Sequence, residues 1–286
     1  MKYLTLILIA LILIQIPSIE KTDVPFIYQL QKIDIKKIYD LYTPKFLVID
    51  VFEILNNEDK IYLQKLRKNG TIVLAYISIG EAEDYRYYWK DIWWKDPPNW
   101  LGKENENWKG NYKVKYWYKE WKEIVFQTIN KIISKTEVDG LYLDIIDAFE
   151  YWAQNGYDIE FTAHEMINFV KEIKNRYKLL IVPQNGESIL NFDTDSSYLN
   201  SIDGIGIEDL FFYKSKKLKH TQERLKYILK IKKEGKFVLV TDYIFPSKVI
   251  DEFITLCETY GFYGYPANKN KLLKDLSFGL KYLKKK

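Results

Sequence analysis

Apolar runs of strand length recur along the chain, and most of them end on a carboxylate. They are Phe46-Leu47-Val48-Ile49-Asp50, Ile72 to Ile79 followed by Gly80-Glu81, Gly140 to Ile145 carrying Asp144, Gly204-Ile205-Gly206-Ile207-Glu208, and Phe237 to Thr241 followed by Asp242. A short continuous apolar run marks a strand buried on both faces, as in a parallel sheet covered by helices. An acid at the end of such a run stands where buried scaffold meets a cleft. With Phe26 to Leu30, Leu179 to Pro183 and Phe262 to Tyr265 the pattern predicts eight strands.

Between them the apolar positions recur at helical spacing over Ile35 to Tyr42, Glu58 to Lys68, Trp121 to Lys135, Ala163 to Arg176, Lys217 to Glu234 and Pro246 to Tyr260. Strands alternating with helices imply a parallel sheet with helical crossovers. Eight such units predict an α/β fold of the (β/α)8 TIM-barrel class as one domain over residues 21–286. No glycine-rich fingerprint follows the first strand, which argues against an open nucleotide-binding sheet. Ser188 to Tyr198, with Asp193-Thr194-Asp195, suggests a loop or short helix.

One connection departs from the pattern. From Glu81 to about Glu120 no buried strand stands out, yet the stretch holds Trp89, Trp93, Trp94, Trp100, Trp108 and Trp117. A long loop so rich in tryptophan is expected to be an ordered lid beside a cleft. Residues 1–20 open with Lys2 and an apolar run from Leu4 to Ile14, shorter than the roughly 20 residues a membrane span requires. This predicts a secretory signal, or a membrane anchor if it is not cleaved, with Ser18 the nearest small residue at a cleavage position.

Composition narrows the function. The 43 basic and 39 acidic residues are mixed along the chain for a net +4, so nucleic acid is not an expected partner. Cys257 is the single cysteine, which excludes an internal disulfide, and its apolar helical surroundings read as core. His164 and His220 both fall in helical patterns, so neither a metal site nor a cofactor is expected. Aromatic residues make up 16% of the chain, enough to offer rings for sugar faces. A monomer is expected.

In a barrel the active site forms at the C-terminal ends of the strands, where these acids converge. Two carboxylates facing each other across a sugar are what glycoside hydrolysis requires. Asp144 on the fourth strand and Glu208 on the sixth form a suitable pair, at a spacing compatible with retaining and inverting geometries alike. Asp147 opens the following loop, where substrate contact competes with capping a turn. Glu81 follows Gly80, whose missing side chain would let backbone approach a ligand; Asp50 and Asp242 are further candidates for substrate hydroxyls or amines.

Tyr76-Ile77-Ser78-Ile79-Gly80-Glu81-Ala82-Glu83-Asp84-Tyr85-Arg86, then Trp100-Leu101-Gly102 and Trp108-Lys109-Gly110-Asn111-Tyr112, then Val138-Asp139-Gly140-Leu141-Tyr142-Leu143-Asp144 together resemble glycoside hydrolase family 114. The resemblance spans nearly the whole chain after the leader. It implies a (β/α)8 barrel acting without metal on polymers of α-1,4-linked galactosamine outside the cell, with Asp144 as nucleophile and Glu208 as acid/base in a retaining reaction. Tyr76, Trp100 and Trp108, standing in the quoted motifs, join Glu81, Asp147, Asp50 and Asp242 as expected substrate contacts. The surroundings of Gly80-Glu81 and Ile207-Glu208-Asp209 differ from the fungal members. A barrel that binds a polysaccharide or oligosaccharide without cleaving it is the alternative.

Overall fold

The computed structural model describes residues 21–54 and 56–285, so the expected leader over residues 1–20 lies outside the described part. Among the described residues no helix is long and apolar enough to cross a membrane. The eight expected strands are present as β1 (Thr22–Gln29), β2 (Tyr42–Ile49), β3 (Ile72–Ser78), β4 (Gly140–Asp144), β5 (Leu180–Pro183), β6 (Gly204–Glu208), β7 (Phe237–Tyr243) and β8 (Tyr263–Ala267). They pair in parallel and in chain order, β1 to β5 in one arc and β6 to β8 in another.

Two seams interrupt the ladder of this TIM-barrel arrangement. Between β5 and β6 an isolated bridge joins Gln184 to Gly206, and the Asn185 N–H donates to the Gly206 carbonyl at 2.8 Å. Between β8 and β1 the described residues form no ladder. There Phe26 meets Tyr265 edge to face at 5.8 Å, and the loop after β8 ties itself to β1 through Leu30 N–H and the Leu273 carbonyl at 2.8 Å. Packing, rather than continuous hydrogen bonding, completes the ring.

The helices are α1 (Ile35–Leu41), α2 (Asn57–Lys68), α3 (Lys119–Lys135), α4 (Ala148–Gln154), α5 (Ile159–Arg176), α6 (Ser197–Ser201), α7 (Thr221–Lys233) and α8 (Ser247–Tyr260). Side-chain caps fix several starts: Asp34, Asn56 and Asp158 each accept the N–H three residues on. On α3 the buried Trp121, Val125, Ile129 and Ile132 fall on one face. α7 starts later than its periodicity suggests because Lys216–Lys217 pair antiparallel with Phe212–Tyr213 instead. Cys257 is buried on α8 against Gly264.

The barrel interior is aromatic. Tyr28 and Tyr142 lie 5.3 Å apart, and the Tyr142 hydroxyl occupies the space beside Gly206, where a side-chain carbon would sit 1.9 Å from it. The Gly-Ile-Gly run of β6 is therefore the counterpart of a tyrosine on β4.

The tryptophan-rich connection folds as a small antiparallel sheet of Glu81–Glu83, Leu101–Asn105 and Trp108–Val114. Its rings pack mostly on one another: Trp89 on Tyr112 at 4.8 Å, Trp93 on Trp100 at 5.1 Å, and Trp100 on Trp121 at 5.2 Å. The Trp121 Nε1–H donates to the Ile79 carbonyl at 2.8 Å, which fastens this layer to the end of β3. Most of the tryptophan is thus the insertion's own core, where rings bury large areas.

Candidate active site

Asp144 is the last residue of β4 and Glu208 the last of β6. Along each strand side chains alternate between the barrel interior and the helices. Tyr142 and Asp144 therefore share the inward parity on β4, as Gly206 and Glu208 do on β6. Both acids reach a cavity of 380 Å³ at the C-terminal rim, within the size range of ligand pockets.

The Asp144 carboxylate is held at both oxygens. The Tyr76 hydroxyl donates to Oδ2 at 2.7 Å, and the backbone N–H of Ile145 donates to Oδ1 at 2.8 Å. Burial pushes this carboxyl up to about 8, the Glu208 charge adds to the rise, and the two donors oppose it. Ile145 itself has φ +62°, a left-handed conformation that a β-branched residue adopts at a cost of about 1–3 kcal/mol. That turn is braced by Gly80, where an added Cβ would lie 2.2 Å from the Ile145 carbonyl oxygen. The close approach expected at Gly80 is thus made by the neighbouring loop of the protein. Gly80→Ala should lower stability by about 2–3 kcal/mol and misplace Asp144; urea denaturation and activity of the variant check both effects.

Glu208 takes a bond from the Tyr243 hydroxyl at 2.5 Å through Oε1, and its backbone N–H donates to Asn185 Oδ1 at 2.9 Å. Burial raises its carboxyl to about 7; Tyr243 opposes, Asp209 adds to the rise, and Lys271 and Gln184 lower it. The loops behind it are pinned by Arg224 on α7, which pairs with Glu187 and donates to the Glu208 carbonyl at 2.8 Å and to Asn185 Oδ1 at 3.1 Å. Asn185 spends its oxygen on these two donors.

Two raised, interacting carboxyls titrate as a pair, and between their two steps they hold one proton. Hydrolysis by this pair requires that proton on Glu208 and an ionised Asp144, whereas in the free protein burial and the Glu208 charge hold it mainly on Asp144. Because the Tyr76 bond favours the ionised form of Asp144, Tyr76→Phe should shrink the fraction of enzyme with Asp144 ionised and Glu208 protonated, and lower kcat/KM across the acid and neutral range. A hydrogen bond to a charged group is worth about 1.5–3 kcal/mol, so kcat/KM near pH 6 should fall at least about tenfold below wild type, and the gap should narrow toward pH 9, where Asp144 ionises in both proteins.

Of the other expected contacts, Tyr76, Glu81, Asp147 and Trp108 line the same cavity. Glu81 is fully buried; its Oε1 meets Lys113 and accepts from Asn105 Nδ2 at 2.8 Å, while Oε2 has no partner among the described residues. Asp147 opens onto the cavity. The surrounding protein raises its carboxyl to about 6, Lys113 opposes, and Glu150 and Glu81 add to the rise. Trp108 is 45% exposed and offers its ring to whatever enters.

Three residues expected at the substrate lie off the cavity wall. Asp242 accepts the N–H groups of Leu210 at 2.7 Å, Phe211 at 3.0 Å and Phe212 at 2.7 Å, so it anchors the loop after β6. Asp50 caps the turn at Phe52 at 2.9 Å and pairs with Arg86 at 2.8 Å. Trp100 is buried between Trp93 and Trp121.

Tyr28, Lys113, Gln184, Asn185, Tyr243 and Lys271 also line the cavity, and none of them was expected there from the sequence. Tyr243 was within reach, since it neighbours Asp242 and has the inward parity of β7. Gln184-Asn185-Gly186-Glu187 is a polar run directly after a strand, the same signal that marked Asp144. Lys113 and Lys271 come from the insertion and from the loop after β8, and no local pattern places either of them.

The model of the glycoside-hydrolase family GH114 matches residues 17–280. An uncharacterised protein of Methanocaldococcus jannaschii is 43% identical over 268 residues, covering 87% of this chain and 77% of that one. An uncharacterised protein of Thermotoga maritima is 46% identical over 183 residues, 61% of this chain and 56% of that one. Among solved structures, the glycoside hydrolase domain of PelA from Pseudomonas aeruginosa superposes with a TM-score of 0.67 at 14% identity, over 90% of this chain and 97% of that one. Ega3 of Aspergillus fumigatus, in complex with galactosamine, superposes with a TM-score of 0.66 at 17% identity, over 88% and 93%. At such identities the likeness is one of fold.

Proposed function

This chain belongs to glycoside hydrolase family GH114, and on that footing we propose that it cleaves α-1,4-linked galactosamine chains with retention, outside the cell. The observation that carries the reading is the pair Asp144 and Glu208, set on one cavity with a tyrosine donor bonded to each. In the first step Asp144 attacks the anomeric carbon as Glu208 gives its proton to the leaving oxygen. The bond between the sugar and that oxygen breaks, and a glycosyl ester forms on Asp144. In the second, Glu208 takes a proton from water, whose oxygen attacks the same carbon and releases Asp144 as carboxylate.

An amino sugar suits the charge of the cavity. Glu81, Asp144, Asp147 and Glu208 outnumber Lys113 and Lys271 on its wall. A bound ammonium would favour the ionised form of Asp144, countering the burial that raises it. The galactosamine bound by Ega3, a structural neighbour, supports the same choice of sugar. Export is supported only by the leader pattern of residues 1–20.

Incubation with a panel of amino-sugar polysaccharides tests the reading. Oligomers should appear from the α-1,4-galactosamine polymer with the wild type and not with Glu208→Gln. A polymer bound but left intact by the wild type would favour a sugar-binding barrel instead.

A further inference from the structure

A second cleft, of 460 Å³, lies beside the cavity that holds Asp144. The two share Asp147, Asn185, Glu208 and Lys271, whereas Asp144 lines only the first. The far wall of the second is formed by Glu187 and Ser188 after β5 and by Glu223, Arg224 and Tyr227 on α7. That wall is braced: Arg224 pairs with Glu187, Ser188 bonds Glu150 of α4, and Asn191 Nδ2 donates to the Tyr227 hydroxyl at 2.9 Å.

The division has a chemical meaning in a retaining glycosidase. The nucleophile meets the anomeric carbon, which belongs to the sugar on the non-reducing side of the cleaved bond. The acid/base meets the bridging oxygen and therefore stands at the border between the two sides. Here Glu208 borders both clefts and Asp144 only one. We infer that the second cleft takes the leaving-group side of the chain, an amino sugar on the reducing side of the cleaved bond. Its ammonium meets Glu150 and Glu223, and its ring packs on Tyr227. The assignment rests on the roles given above to Asp144 and Glu208. It orients the polymer across the rim, with the non-reducing part beneath Trp108 and the reducing part against α7, so that cleavage falls within a chain that spans both clefts.

Tyr227→Ala and Glu223→Lys in the full chain test this with two substrates. One is an α-1,4-linked galactosamine oligosaccharide, whose leaving group is a sugar; the other is a nitrophenyl α-galactosaminide, whose leaving group departs without filling a sugar site. For each variant the loss of kcat/KM on the oligosaccharide should exceed the loss on the aryl glycoside by about tenfold or more, the equivalent of one lost contact. Equal losses on both substrates, or none on either, would overturn the cleft assignment while leaving the catalytic pair standing. A wild type that cleaves neither substrate would overturn the proposed function, and the role of the cleft with it.

Discussion

Replacing Asp144 by Asn is expected to abolish hydrolysis and at the same time to make the protein more stable at alkaline pH. An amide cannot form the glycosyl ester, so the covalent route closes and kcat should fall about 10⁴-fold or more, roughly 5.5 kcal/mol of barrier. The gain in stability follows from the raised carboxyl, which burial and the Glu208 charge hold at about 8. In the unfolded chain that carboxyl returns to its ordinary acidic value. Its contribution to stability is fully present below the unfolded value and is lost as the pH rises through the folded one, because the unfolded chain releases a proton that the folded chain retains. Asn escapes that loss. The melting temperature of the variant relative to wild type should therefore increase between pH 5 and pH 8. Thermal denaturation at the two pH values, alongside an activity assay, checks both halves of the expectation.

Glu208→Gln should be as damaging on the polymer but differently on a substrate that needs no acid. General acid–base catalysis contributes about 10²–10⁴-fold, and a sugar leaving group depends on it in full. With a nitrophenyl α-galactosaminide, formation of the ester on Asp144 needs no proton from Glu208, so the first step should survive. The second step should stall, because the variant has no base to activate water. Added azide attacks without a base, and its product should be an α-glycosyl azide, released at a rate that rises with azide concentration. The same addition should do nothing for Asp144→Asn. Product analysis with and without azide distinguishes the two roles, which simple loss of activity does not.

Much of the fold was legible in the chain because a parallel barrel strand is buried on both faces and writes itself as an unbroken apolar run. Gly140 to Asp144 and Gly204 to Glu208 were both visible in this way. What an unbroken run hides is phase. Asp242 and Tyr243 adjoin at the end of β7, one turned to the loop backbone and the other to Glu208. Hydrophobicity on both faces gives no indication of which points inward. The insertion is the ordered element beside the cleft that was expected, but Trp100 was misread for a related reason: tryptophan is suited equally to a sugar platform and to a core. Trp100 became core because Trp93 and Trp121 enclose it, a long-range contact that no local pattern records. The seams beside Gln184 and Phe26 were equally invisible, since strand order does not determine where a ladder breaks.

The central claim is that Asp144 forms a glycosyl ester at an α-galactosaminide and Glu208 serves both of its steps. Proton NMR of the first minutes of hydrolysis of an α-1,4-linked galactosamine oligosaccharide tests it most directly, since each displacement inverts the anomeric centre and two restore it. The α-anomer should appear first, with the β-anomer growing in only by mutarotation. A β-anomer formed first would contradict the covalent role of Asp144.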